Sequence, residues 1–191
     1  INLDSIDKKS IEKWKEGDLL LLSGKLLTAR DGAHKKIADL FKKGEALPVG
    51  VNLKNKFIYY VGPVDAVRNE VIGPAGPTTA SRMDQFMEMM LAELGIMGTI
   101  GKAERGESAV QTIKKYQSVY LSAVGGAAYL VSKAITSSKV VAFPELGMEA
   151  IYEFEVKDMP VMVSIDTQGK SIYSEAPSRW KNKSIPINSL K

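Results

Sequence analysis

The chain has 191 residues, 45% hydrophobic and 25% charged, ordinary values for a globular protein able to bury a core in one domain. Its net charge of +4 is spread over pairs such as Lys35-Lys36, Lys42-Lys43 and Lys114-Lys115, which suits an anionic small molecule or an acidic partner surface better than nucleic acid. The absence of cysteine excludes disulfides, a thiol nucleophile and any Cys-ligated zinc or iron–sulfur cluster within this chain.

In chain order, residues 18–22 read as a strand leading into Ser23-Gly24. Asp31 is the natural N-cap of a helix with Ala33, Ile37, Leu40 and Phe41 as its apolar face and Gly44 as its stop. Residues 57–61 read as a strand. A loop kept irregular by Gly73, Pro74, Gly76 and Pro77 then enters a helix over about 79–94, striped by Met83, Phe86, Met87, Met90, Leu91 and Leu94 and closed by Gly95. Residues 96–100 form a short strand ending at Gly101-Lys102, and 108–116 a helix capped by Ser108. Residues 117–122 are a strand, and Gly125-Gly126 opens a small-residue helix through 134. Three strands follow at 139–143, 150–156 and 161–166, close enough in sequence to pair antiparallel in a mixed α/β fold. We divide the chain into a domain over 1–170 and a polar tail over 171–191 with Pro177, Arg179, Trp180 and Pro186, mobile or laid along a partner. Apolar runs such as 19–22 and 140–143 are far too short to cross a bilayer, and the start of the chain has mixed charge without an apolar leader. The expectation is a cytoplasmic protein with no membrane or nucleic-acid partner.

The most informative stretch is 74–82, Pro-Ala-Gly-Pro-Thr-Thr-Ala-Ser-Arg. It delivers two hydroxyls to a helix start, where free N–H groups and the dipole favour anions, and adds a guanidinium that can grip a carboxylate with two parallel hydrogen bonds. Thr79 heads the apolar stripe and is expected to cap the helix. Thr78 lies one turn before Arg82 on another face, so these two can converge on one ligand. Against this stands the plainer alternative of two N-caps and a solvated arginine. Arg30, Asp31 and Lys102 also fall at turns, where binding groups tend to sit, although Arg30 could pair locally with an acid. His34, the one histidine, lies beside an apolar stripe and reads as a packed histidine rather than a proton shuttle. Gly125-Gly126 lacks the spaced glycines and the following acid of a dinucleotide fingerprint. Arg30, Arg82 and Lys102, with a hydroxyl nearby, suit a small dicarboxylate.

Three segments, Leu22-Ser-Gly-Lys-Leu-Leu-Thr-Ala-Arg-Asp-Gly-Ala-His34, Gly73-Pro-Ala-Gly-Pro-Thr-Thr-Ala-Ser-Arg-Met-Asp84 and Gly98-Thr-Ile-Gly-Lys102, resemble the β subunit of class I fumarate hydratase and L-tartrate dehydratase. In some members the same unit is the C-terminal domain of a longer chain. The resemblance runs from about residue 15 to residue 170. It implies an α/β fold, a swivelling β/β/α three-layer domain with a mixed sheet, similar in kind to the aconitase C-terminal domain. It implies a four-iron, four-sulfur cluster on a separate α subunit, none of it ligated here, and an α/β hetero-oligomer. It further implies that Arg30, Arg82 and Lys102 hold the carboxylates, that Thr78 is the base, and that Asp31, His34 and Thr79 are possible supports. The expected reaction is reversible hydration of fumarate to malate, with no activity from this chain alone. The alternatives are tartrate dehydration and a non-catalytic anion-binding module.

Overall fold

A computed structural model describes residues 1–174; Pro177, Arg179, Trp180 and Pro186 of the expected tail lie outside the described residues. Strands that are apolar on both faces decide the architecture. In Phe57–Tyr59 (β2) and the residues extending it, Phe57, Tyr59 and Val61 enter one buried cluster and Ile58 and Tyr60 another. A strand of period 2 with two apolar faces must be covered twice, as parallel sheets are. Leu26 and Leu27 divide in the same way in Leu19–Thr28 (β1), as do Leu121 and Tyr120 in Val119–Ala123 (β4). With Gly98–Gly101 (β3) these form a parallel sheet in the order β1-β2-β3-β4.

Helices cover one face. Asp31–Lys43 (α2) buries Ala33 and Ile37, Met87–Ala92 (α3) buries Met87, Met90 and Leu91, and Glu107–Lys115 (α4) buries Ala109 and Ile113. The other face packs on a second, antiparallel layer of Ile135–Ala142 (β5), Ile151–Ile165 (β6) and the first half of β1. β6 pairs with β1 from Leu19↔Met162 to Leu27↔Glu153 and with β4 from Tyr120↔Ile165 to Ala123↔Val161, so it joins the two edges of the parallel sheet. The short helices Lys8–Ile11 (α1) and Ala128–Lys133 (α5) complete the list of regular helices among the described residues. The result is the expected mixed sheet in a layered α/β fold. No helix among the described residues is long and apolar enough to cross a membrane.

Several boundaries differ from expectation. β1 does not end at Ser23-Gly24 but runs to Thr28, absorbing the pair as a bulge with Gly24 at φ 106°. The bulge is held where the Asp158 amide donates to Ser23 Oγ at 3.0 Å and the Leu3 amide to the Ser23 carbonyl at 2.8 Å. The expected strands 150–156 and 161–166 are one strand, β6. Its polar stretch bends at Asp158, φ 51°, opposite the β1 bulge instead of turning back. The expected helix 79–94 is a 3-10 segment, Ala80–Phe86, followed by α3. Gly106, not Ser108, stands at the N-cap of α4, and Arg30, not Asp31, at that of α2, while Gly44 closes α2 in the left-handed region at φ 69° as read from the sequence.

Candidate functional site

The carboxyl ends of the parallel strands gather the sequence candidates on one edge. Arg30 and Asp31 follow β1, Lys102 follows β3, and Gly125 follows β4. The 78–80 segment fits between the ends of β2 and β3: Thr78 N–H donates to the Tyr60 carbonyl at 2.7 Å, Lys102 N–H to the Thr78 carbonyl at 3.1 Å, and Ala80 N–H to the Lys102 carbonyl at 3.0 Å. Ala29 N–H reaches the Tyr59 carbonyl at 3.2 Å. Thr78 and Lys102 are thus locked as backbone neighbours, and the β1 end joins them through β2. Ligands of open α/β sheets bind in this crevice beyond the strand ends.

Four charged side chains form one network on this edge. Arg82 grips Asp31 with two parallel bonds, Nε to Oδ1 at 3.0 Å and Nη2 to Oδ2 at 2.5 Å. Asp31 Oδ2 also lies 3.6 Å from Arg30 Nε. Glu149, at the end of the 3-10 turn Pro144–Glu149, places Oε1 3.1 Å from Arg30 Nε and accepts the Gly32 N–H on Oε2 at 2.6 Å. Arg30 Nε is buried without an aligned acceptor, so its tie to Glu149 is one of charge and proximity more than a directed bond. The Arg30 guanidinium lies against Gly62, where a Cβ would come within 2.5 Å of Nη1. Arg30 therefore pairs locally with acids, as the plainer alternative held, yet it does so at the strand ends beside Arg82.

The threonines do not act as caps. Thr79 occupies the N-cap position of the 3-10 segment without a side-chain cap bond, because its backbone is committed to bridging Lys102. Among the described residues neither threonine hydroxyl makes a hydrogen bond, and no acid pairs with the Lys102 ammonium. A hydroxyl and an ammonium without local partners, on backbone fixed by three hydrogen bonds, are what a ligand-facing pair needs.

His34 lies beneath this edge. It is fully buried, its ring nitrogen Nδ1 is 2.9 Å from the Arg30 carbonyl, and it packs against Tyr60 and Phe86 with ring centroids 5.5 and 5.4 Å away. Burial pushes its pKa down to about 4, so it is neutral near pH 7 and supports the Arg30 backbone as a packed histidine. Sequence reasoning missed Glu149, Asp84 and Arg105. Asp84 closes the Gly73-to-Asp84 motif with no local partner in the sequence to signal its role, and Arg105 sits three residues past Lys102 among ordinary surface-type residues. Glu149 lies 117 residues from its partner Gly32, and no local pattern in the chain announces that contact.

A large apolar groove does not coincide with the charged network. About 640 Å³ in volume, it is lined by Leu19, Leu21, Val124, Pro160 and Met162 and touches the candidate residues only through Lys102 and Gly125. An apolar trough offers few partners to an anion, whereas the charged edge offers several. Arg82 is half exposed there, with 48% of its side chain accessible, so the edge is open.

Residues 1–176 match the family described as fumarase C-terminus. The chain is 36% identical over 173 residues to fumarate hydratase 2 of Leishmania major, covering 89% of this chain and 30% of that one. It is 37% identical over 157 residues to the aerobic class I fumarate hydratase of Escherichia coli, covering 82% and 28%. It is 38% identical over 185 residues to a Methanocaldococcus jannaschii chain provisionally named L(+)-tartrate dehydratase subunit beta, covering 94% of both. The chain thus spans under a third of these fumarate hydratases and nearly all of the tartrate dehydratase subunit. By sequence, extent and fold, it belongs to the family of class I fumarate hydratase C-terminal regions and tartrate dehydratase β subunits.

Proposed function

We propose that this chain is the β subunit of a hydro-lyase that reversibly hydrates fumarate to malate, with a site shared with a partner α subunit. The observation that carries this reading is the meeting of Thr78 and Lys102 with the Arg30–Asp31–Arg82 network at the strand ends. Lys102 and the two arginines hold the substrate carboxylates, and Thr78 takes the proton from the carbon beside one of them. A carboxylate neutralised by cations acidifies that C–H, and the same cations favour the threonine alkoxide over its value in water. Arg82 engages Asp31 through Nε and Nη2, so Nη1 is the nitrogen left to meet substrate without breaking that grip.

The charge balance supports a shared site. Three cations (Arg30, Arg82 and Lys102) face two acids, Asp31 and Glu149, leaving one net positive charge for a doubly negative substrate. A dry pocket needs closer compensation, so the partner brings further positive charge as it covers the open edge. The apolar groove beside Lys102 offers the kind of surface such a partner buries. The family resemblance implies a four-iron, four-sulfur cluster on that partner, which would supply a Lewis acid for the hydroxyl gained or lost, in addition to any compensating charge from partner side chains. The chain has no cysteine, and among the described residues no group of His, Asp and Glu gathers as a ligand set, so its ligands would come from the partner.

Dehydration of L-tartrate to oxaloacetate is the second reading, favoured by the near-complete mutual coverage with the subunit named for that substrate. Mixing the purified chain anaerobically with its cluster-loaded α subunit and assaying fumarate, malate and tartrate separates these. Fumarate as preferred substrate supports the first reading, tartrate the second. Binding of dicarboxylates without turnover of any would leave an anion-binding module.

A further inference from the structure

We propose that Asp84 and Arg105 form a positioning clamp that sets the Thr78–Arg82 segment against Lys102. Arg105 leaves the loop between β3 and α4 with its side chain 0% exposed. Its Nε donates to Asp84 Oδ1 at 2.5 Å and its Nη1 to Thr99 Oγ1, on β3, at 3.2 Å. The guanidinium lies 5.4 Å from the Tyr60 ring centroid and 5.1 Å from that of Tyr120. The second oxygen of Asp84 accepts the Gly106 N–H at 2.7 Å. Asp84 is two residues beyond Arg82, and Arg105 three beyond Lys102.

These contacts make a closed frame. At one end the backbones of Thr78 and Ala80 bond to Lys102. At the other the Asp84 carboxylate bonds to both Arg105 and the Gly106 amide. The intervening turn is 3-10, tighter than α, and Arg82 projects from it to Asp31. Tyr60, against which the guanidinium packs, also carries the carbonyl that fixes Thr78. An ion pair here is a costly way to gain stability, since apolar side chains of similar size commonly do as well between such rings. What the fork-shaped guanidinium supplies is direction: Nε and Nη1, at a fixed angle, hold one carboxylate and one hydroxyl while the guanidinium packs between two rings, and the buried Nη2 has no hydrogen-bond partner. Neither residue reaches the substrate edge, so the role is positioning. The proton-accepting Thr78 and the carboxylate-holding Lys102 come from separate segments, and a displacement of about 1 Å between such groups costs on the order of a hundredfold in rate.

The meaning of the clamp for turnover rests on the proposed hydro-lyase function, while its mechanical role does not. The test uses the full chain, alone and with its α subunit, as the double variant Asp84→Leu/Arg105→Met and the single variant Arg105→Lys. The double variant removes both charges together and leaves neither buried unpaired; Arg105→Lys keeps the charge and loses the fork. We expect the folded double variant to melt near the parent, with kcat down by at least about 30-fold and KM within about threefold. Amide exchange at 78–82 should accelerate while that of β4 stays unchanged. If the double variant does not fold, Arg105→Lys decides, with an expected loss of about tenfold in kcat at steady KM. Unchanged kcat in a folded variant, or exchange that rises equally throughout the chain, overturns the clamp. A parent complex inactive on every diacid would defeat the hydro-lyase function instead, and exchange at 78–82 would then decide the clamp by itself.

Discussion

Gly32 and Glu149 allow a perturbation whose size can be worked from geometry. Glu149 accepts the Gly32 N–H at 2.6 Å and lies 3.1 Å from Arg30 Nε, so it seats Arg30 against the start of α2. A Cβ at residue 32 would meet Glu149 Oε2 at 2.5 Å, and that oxygen is the far end of a flexible side chain. Gly32→Ala therefore evicts the carboxylate while leaving the backbone in place. Helix propensity gives back up to about 1 kcal/mol of what the lost contact costs, so the fold should be weakened by only about 1 kcal/mol. The charged hydrogen bond that is lost is worth about 2 kcal/mol, and if it acts through Arg30 on the transition state, kcat/KM falls about 30-fold. Glu149→Ala should give the same loss by a different route. Because both act on one contact, the double variant should be no worse than either single one. Steady-state kinetics of the reconstituted complex, with melting curves alongside, would test this. Full activity of Gly32→Ala, or losses that multiply in the double variant to about a thousandfold, would refute the seating of Arg30 by Glu149.

Other outcomes follow from the same geometry. Arg82→Ala and Lys102→Ala should raise KM for the dicarboxylate and lower kcat/KM at least about tenfold, the loss of a charge-assisted contact; unchanged kinetics would misplace the pocket. His34 gives a pH signature. Its pKa is held down to about 4 in the fold, so the unfolded chain binds the extra proton between there and about 6.5. Stability is then full above about 6.5 and declines as pH falls toward 4. Denaturant unfolding should lose about 2 kcal/mol between pH 7 and pH 5 beyond the loss of His34→Phe, and equal losses in both proteins would contradict the buried neutral ring.

The strands could be read from the sequence because their apolar residues run on both faces, as Phe57 to Val61 show. The positions of Arg30, Thr78 and Lys102 could be read because each stands where an element ends. What could not be read depends on distant partners. The polar stretch around Asp158 looks like a turn until Ser23, 135 residues away, supplies its hydrogen bond, and two expected strands become one. The 79–94 helix pattern is correct for its buried methionines, but the Asp84 tether to Gly106 and the Thr79–Lys102 bridge hold its first part in 3-10 form. Thr79 was expected as a cap because capping is local, and its bridging role depends on the β3 end.

The central claim is that the Thr78 hydroxyl removes the substrate proton, and exchange with solvent reports it most directly. Malate incubated in D2O with the complex of this chain and its α subunit should take up deuterium at the carbon beside the hydroxyl-bearing one. The Thr78→Val complex should still bind malate but exchange that proton at least about a hundredfold more slowly, the scale of one general base. Exchange at the parent rate in Thr78→Val would show that another group carries the proton and would contradict the assignment.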